Sequence, residues 1–227
     1  MSDIKNHQRV NDILLGPLER PALQWFASHM PAWITPDTCT AIGIFGAFFI
    51  MVSYALSTLD KNFLWLASLG FVINWFGDSL DGTLARYRHI ERPQYGFFVD
   101  HTTDAFNEVM IFLGLGLTPY IRFDVACLIL IAYLLLSVLV YVRTFVVGEF
   151  KISYSKLGPT EFRVFAILLN LCMYFGGIRT ISLTLPNIGQ IIFSLYDLVV
   201  TFFTLLLLYF FFATASKEII SLNKMKR

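Results

Sequence analysis

Six stretches of this chain are apolar for long enough to cross a lipid bilayer, and this limits its architecture more than any other feature. A hydrocarbon core about 30 Å thick needs roughly 20 consecutive apolar residues in a helix. Within it, every backbone polar group must be satisfied by the segment itself or by its neighbours. The runs cover about 39–57, 62–86, 97–117, 124–147, 160–177 and 190–215. Of the 227 residues, 56% are hydrophobic and only 15% charged, against about a quarter charged in a soluble domain. The expected fold is an all-α membrane protein with six transmembrane helices. Residues 39–227 form one bundle, and residues 1–38 form an N-terminal interfacial segment.

Six spans place both termini on one side, together with the connections after the second and fourth spans. Fourteen Lys and Arg fall on that side and three, Lys61, Arg122 and Arg179, on the other. Positively charged flanks stay cytoplasmic, so both termini are expected there. Net charge is +1, and nothing in its distribution suggests a nucleic-acid partner. Cys39, Cys127 and Cys172 stand alone, without the spacing of a disulfide framework or a zinc site.

Ahead of the first span, residues 8–30 alternate apolar and polar groups at near-helical spacing. Val10, Ile13, Leu14 and Leu18 can share a face, with Arg9, Asn11, Asp12, Glu19 and Arg20 elsewhere. Such a segment reads as one or two short amphipathic helices in the cytoplasmic interface, with Trp25 at headgroup level. Pro17 and Pro21 are expected to break or kink it.

The second and third spans are interrupted by acids. Asp78 and Asp81 stand three apart, and Asp100 and Asp104 four apart. Both spacings put a pair on one helix face. Asn74 extends the first polar stripe backward and Glu108 extends the second forward. Two helices joined by a short loop are expected as antiparallel neighbours, so the stripes can face each other. Ionisable residues inside a span are costly and functional by default. Four converging carboxylates repel one another unless a cation intervenes, and oxygen-only ligands suit a hard divalent ion. Two such ions would balance four carboxylates and would also neutralise a pyrophosphate. Arg86 adds a planar fork for a phosphate, while Gly82 and Ala85 leave room for a ligand to approach the backbone.

The pattern Asp78-x-x-Asp81-Gly82-x-x-Ala85-Arg86 followed by Gly96-x-x-x-Asp100-x-x-x-Asp104 resembles the signature of the CDP-alcohol phosphotransferase family (CDP-alcohol phosphatidyltransferase class I). All eight signature residues are present; the spacer between Arg86 and Gly96 is nine residues where the pattern is usually written with eight. The resemblance implies a phospholipid-synthesising transferase that moves a substituted phosphate from a CDP-linked donor to an alcohol or lipid acceptor, releasing CMP. It implies two Mg²⁺ or Mn²⁺ ions on Asp78, Asp81, Asp100 and Asp104, with Asp104 also the general base. Gly82, Ala85 and Arg86 would meet the donor nucleotide. Asp37 and Thr40 would do so too, because Pro36-Asp37-x-x-Thr40 resembles a further family element. Read without the family, Thr35-Pro36-Asp37 is simply a helix start with Asp or Thr as its cap. The resemblance also implies a homodimer, and a multi-pass location in a bacterial inner membrane, or in the endoplasmic reticulum membrane of a eukaryote, with the active site facing the cytoplasm.

Donor and acceptor stay open at this level. His101 within the DHTTD run and the Gly158-Pro159-Thr160-Glu161 start of the fifth span look more like the choline and ethanolamine phosphotransferase branch. The short chain suits a relative using CDP-diacylglycerol. His101, Arg143, Lys156 and Arg163 are candidate acceptor or lipid contacts, and interfacial anchoring also accounts for the basic ones. Asp197, in the sixth span, reads as an interhelical hydrogen-bonding residue. A membrane cation transporter built on intramembrane carboxylates is the alternative. It would call for a repeated acid cluster near mid-bilayer, which the sequence lacks.

Overall fold

The computed structural model describes residues 14–147, 158–185 and 189–225. Seven helices and one hairpin account for nearly all of them: α1 (Gly16–His29), α2 (Pro36–Leu56), α3 (Phe63–Tyr87), α4 (Pro93–Gly116), α5 (Phe123–Val147), α6 (Pro159–Gly176), β1 (Thr180–Leu185), β2 (Gly189–Ser194) and α7 (Leu195–Met225). Helices α2 to α7 lie where the six apolar runs predict helices. Four of them, α2, α3, α5 and α7, are long and apolar enough to cross a membrane, and the chain is an integral membrane protein.

The all-α expectation needs one correction. β1 and β2 pair antiparallel, Thr180 opposite Ser194 and Leu185 opposite Gly189, so α7 starts at Leu195 rather than near 190. Alternation of Ile181, Leu183 and Leu185 with Ser182 and Thr184 is the period-2 signature of a strand. The apolar content of 190–194 masked it. Asp197 fixes the hairpin to the bundle: its Oδ2 accepts from Ser194 N (2.7 Å) and its Oδ1 from Arg122 N (2.8 Å).

α2 and α3 lie backbone to backbone. A Cβ on Gly77 would sit 2.2 Å from Gly43 N, and one on Gly46 would sit 2.5 Å from Asn74 N. Without a hydrophobic drive between helices in lipid, small residues that permit such approach hold spans together. This contact sets the register of Asp78 and Asp81 against the start of α2. Asn74, buried at the crossing, donates from Nδ2 to Gly43 O at 2.9 Å. A second buried polar link joins α2, α3 and α6: Tyr54 Oη donates to Asn170 Oδ1 (2.8 Å), and Asn170 Nδ2 donates to Ser68 Oγ (3.1 Å).

α3 is closed by His89, just past its C-cap Arg88, whose φ of 55° is the left-handed conformation that ends a helix, with Ile90 N donating back to Ala85 O at 3.1 Å. Pro93 then opens α4, suiting the first turn where its missing N–H is not needed. α4 packs along α2 and α5 rather than along α3. The two acid-bearing helices are therefore not the close antiparallel neighbours expected; they face one another across open space.

α1 runs through Pro21 without a break. Pro17 lies in the first turn, so Pro21 forfeits a single backbone hydrogen bond near the helix start. Leu18 and Trp25 are exposed on one side of α1, as is Leu14 just ahead of it; Val10 and Ile13 lie outside the described residues. The other side, with Glu19, Leu23 and Ala27, is buried on the bundle beside Leu80 and Leu84. Glu19 is therefore not on the polar outer face that helical spacing suggests. It turns inward because three donors wait there: Trp75 Nε1 (2.7 Å), Thr160 Oγ1 (3.0 Å) and Ser79 Oγ (3.1 Å), all on its Oε1.

Candidate active site

A cavity of about 1040 Å³ opens where α1, the start of α2, the second half of α3, the first half of α4 and parts of α5, α6 and α7 meet. Asp78, Asp81, Asp100 and Asp104 all line it, with Gly82, Ala85, Arg86, Asp37, Thr40, His101 and Arg163. The signature and its accessory element, spread from Pro36 to Asp104, reach one cavity because α2 and α3 touch at their glycines and α4 is held away from α3.

Helical spacing puts Asp78 and Asp81 on one face of α3, and Asp81 reaches the start of α2. Its Oδ2 accepts from Thr40 Oγ1 at 2.7 Å and its Oδ1 from the Gly82 N–H. Asp81 also lies in the field of Asp100 and Asp78. Asp104 interacts with Asp78 across the cavity and feels Asp100 as well. The two acid stripes therefore meet through their side chains even though their helices do not pack together.

Arg163 is the cation among them. Its Nη2 lies 2.6 Å from Asp78 Oδ2 and its Nε donates to Asn74 Oδ1 at 2.8 Å. Asn74, itself held by Gly43 O, aims the guanidinium. A guanidinium deep in a bundle needs such partners, because its desolvation is otherwise unpaid. From sequence Arg163 was a candidate acceptor contact; the structure brings it onto a signature carboxylate inside the same cavity.

The nucleotide-side candidates are organised by two arginines of the α3–α4 connection. Arg88 donates to the carbonyls of Ile34, Met30 and Pro31, pinning the turn that leads into α2. Arg92 pairs with Asp37 at 2.6 Å and stacks over the Tyr95 ring at 4.0 Å; the Asp37 hydrogen bond raises the guanidinium pKa above its ordinary value. Thr35 settles the helix start: its Oγ1 accepts from Thr38 N at 3.2 Å, the N-cap bond. Asp37 is released from capping and turns to the cavity mouth. Arg86 Nη2 reaches Thr83 Oγ1 at 3.2 Å.

His101 sits at the edge of the acid group. Its Nδ1 is 3.7 Å from Asp100 Oδ2, and its ring meets Phe97 edge-on (4.2 Å between centroids) and Tyr141 (4.9 Å). Ligand atoms of Asp100, His101 and Asp104 come within 4.8 Å of one another. That convergence, with oxygen donors predominating, fits a divalent cation. Arg143 is placed elsewhere: its Nε donates to Glu218 at 2.7 Å and links α5 to α7. Lys156 lies outside the described residues.

Sequence reasoning missed Glu19, Arg88 and Arg92 as parts of the site's frame. Arg88 and Arg92 were visible only as positive charges, and no local pattern distinguishes an anchoring arginine from a clamp. Glu161, read from sequence only as part of the start of the fifth span, does structural work. Its two oxygens accept from Leu15 N and Gly158 N, at 2.9 and 2.8 Å, joining α1 to the start of α6.

Known proteins resemble this chain in the same region. The family model for CDP-alcohol phosphatidyltransferase matches residues 33–203. A phosphatidylinositol phosphate synthase of Cutibacterium acnes is 40% identical over 88 residues, covering 38% of this chain and 39% of the relative. An archaetidylinositol phosphate synthase of Pyrococcus horikoshii is 32% identical over 123 residues, covering 54% of each. Cholinephosphotransferase 1 of Rattus norvegicus is 24% identical over 181 residues, covering 74% of this chain and 45% of the relative. The matched stretch spans about half or less of each of these relatives. The family model extends from the turn before α2 into α7, across the helices that carry the four signature aspartates and Arg163, and the chain belongs to the CDP-alcohol phosphatidyltransferase family.

Proposed function

We propose that this protein is a membrane CDP-alcohol phosphotransferase. The alcohol oxygen attacks the β-phosphorus of a CDP-linked donor, the one bearing the substituent. The bond from that phosphorus to the oxygen of the CMP phosphate breaks, CMP leaves, and a phosphodiester is formed. Asp104 takes the proton of the attacking hydroxyl. Asp37, Thr40, Gly82, Ala85 and Arg86 hold the nucleotide end of the donor. Positioning and charge neutralisation carry most of the acceleration in such transfers.

Asp78, Asp81, Asp100 and Asp104 would hold two divalent ions, Mg²⁺ or Mn²⁺, whose charge offsets that of the pyrophosphate and of the departing phosphate. Arg163 keeps Asp78 oriented and limits repulsion among the four acids. The single observation that carries this reading is that all four signature carboxylates, on two helices that do not pack together, line one cavity. An apolar wall on α5 and α7, with Leu136, Val140, Phe203 and Leu207, completes that cavity and gives a lipid chain a place beside the polar site.

In the same reading six helices cross the membrane with both termini cytoplasmic, following the distribution of Lys and Arg. The active site faces the cytoplasm, where soluble nucleotide is available. The membrane is the bacterial inner membrane, or that of the endoplasmic reticulum in a eukaryote, and the working unit is a homodimer. The family match does not favour a cation transporter.

The test is release of CMP by purified protein in detergent with Mg²⁺ or Mn²⁺, given CDP-diacylglycerol or CDP-ethanolamine separately with a panel of alcohols. CMP formation that needs both the alcohol and the metal is expected. Metal-dependent ion flux across reconstituted vesicles with no CMP from any pairing would refute the assignment.

A further inference from the structure

Glu19 belongs to α1, which lies ahead of the residues 33–203 that the family model matches. Its side chain is nonetheless tied to the two helices that carry Asp78 and Arg163. Oε1 accepts from Trp75 Nε1 at 2.7 Å and Ser79 Oγ at 3.1 Å, both on α3, and from Thr160 Oγ1 at 3.0 Å on α6. On α3, Trp75 and Ser79 form one i, i+4 row. The row beside it, Asn74 and Asp78, accepts from Arg163. On α6, Thr160 and Arg163 stand three apart and share a face. α3 and α6 pack along one another and are thus joined twice: Arg163 reaches from α6 to α3, and the Glu19 carboxylate receives from both.

Anchoring α1 does not account for this carboxylate. Leu23 and Ala27 already bury against Leu80 and Leu84, and Glu161 on α6 already holds the Leu15 N–H at 2.9 Å. A carboxylate only 9% exposed adds little adhesion, because its desolvation offsets much of what its hydrogen bonds contribute. Three donors on one oxygen supply geometry instead: they fix how far α6 is shifted along α3. That shift decides whether Arg163 Nη2 meets Asp78 Oδ2, a contact at 2.6 Å. We infer that Glu19 is a positioning residue for Asp78: by locking α3 to α6 it holds Arg163 on Asp78, and so sets how that carboxylate meets a divalent ion. The inference rests on the proposed function, in which Asp78 is a metal ligand. Hydrogen-bonding partners that orient a ligating carboxylate tighten metal binding. α1 then serves the site through α3 and α6, without supplying a ligand of its own.

The test is Mn²⁺ binding by the purified full chain in detergent, read from the electron paramagnetic resonance of the free ion, beside the melting temperature of each variant without metal. Glu19→Leu should weaken Mn²⁺ binding about tenfold. Glu19→Gln keeps an acceptor oxygen for the same donors and should recover most of that loss. Thr160→Val, of nearly equal volume, removes only the bond from α6. It should weaken binding by a smaller factor, and it carries the test if Glu19→Leu does not fold. Asp197→Ala, at the far end of the molecule, should lower the melting temperature and leave Mn²⁺ binding as in wild type. In an Arg163→Gln background Glu19→Leu should add little, because its effect passes through that arginine. Three results would each overturn the inference and leave the proposed function standing: unchanged affinity in Glu19→Leu (or in Thr160→Val, should Glu19→Leu not fold), an equal loss in Asp197→Ala, or a full additional loss in the Arg163→Gln background. Wild type that binds no Mn²⁺ would overturn the inference and the two-ion reading together, while CMP release decides the proposed reaction separately.

Discussion

Aspartates stand at both ends of this molecule, buried at one and half-buried at the other, and the two ends use them in opposite ways. Near the hairpin, Asp197 is 1% exposed. Its two oxygens accept from the backbone of Ser194 and Arg122, and its own N–H donates to Ser194 Oγ at 2.9 Å. Each bond ties one piece of chain to another, and the negative charge sits at the start of α7, where the helix dipole favours it. At the other end, Asp78, Asp81, Asp100 and Asp104 look toward one another across a cavity, with Arg163 as the guanidinium between them. The groups each carboxylate faces separate these cases: backbone donors make a brace, whereas like charges around a space make a site for something that enters it.

The contrast can be broken by experiment. The largest effect belongs to Asp104→Asn. Removing the general base should lower CMP formation by about 10²–10⁴-fold, while donor binding in the presence of metal persists. Turnover near wild type in that variant would remove Asp104 from the chemistry. Arg163→Gln comes next. It leaves Asp78 without its charged partner, and losing the residue that orients a ligand typically costs about 10–100-fold in metal affinity or activity. A higher metal concentration for half-maximal rate is the expected signature, and an unchanged metal requirement would make Arg163 a purely structural cation. Asp197→Ala should have the smallest effect on the chemistry. It leaves two backbone N–H groups without an acceptor, at about 1–3 kcal/mol each, so the melting temperature drops while kcat and KM of the folded enzyme stay at wild-type values. A loss of turnover without a loss of stability would show the two ends to be coupled.

The helices and the acids were legible from local information. Hydropathy located α2 to α7 because each holds a long apolar run, and the spacing of Asp78 with Asp81 and of Asp100 with Asp104 announced one face each because helical geometry is fixed. The hairpin was hidden because 190–194 is as apolar as a helix start, and only pairing with Thr180–Leu185 decides it. Glu19 looked like an outward polar residue of an amphipathic helix, because nothing near it in sequence reveals Trp75, Ser79 and Thr160. Arg163 looked like a flank charge for the same reason: its partner Asp78 is 85 positions away.

By itself the sequence determined the membrane as solvent, the positions of six long helices and the presence of eight signature residues, since each follows from length, period or residue type within one segment. The tertiary structure alone decided which acid meets which cation, that α3 and α4 stand apart around a cavity, and that Glu19 turns inward onto α3 and α6. Those outcomes depend on where glycines let α2 and α3 touch and on how α4 leans toward α2 and α5, and contacts between distant segments leave no periodic trace in the chain.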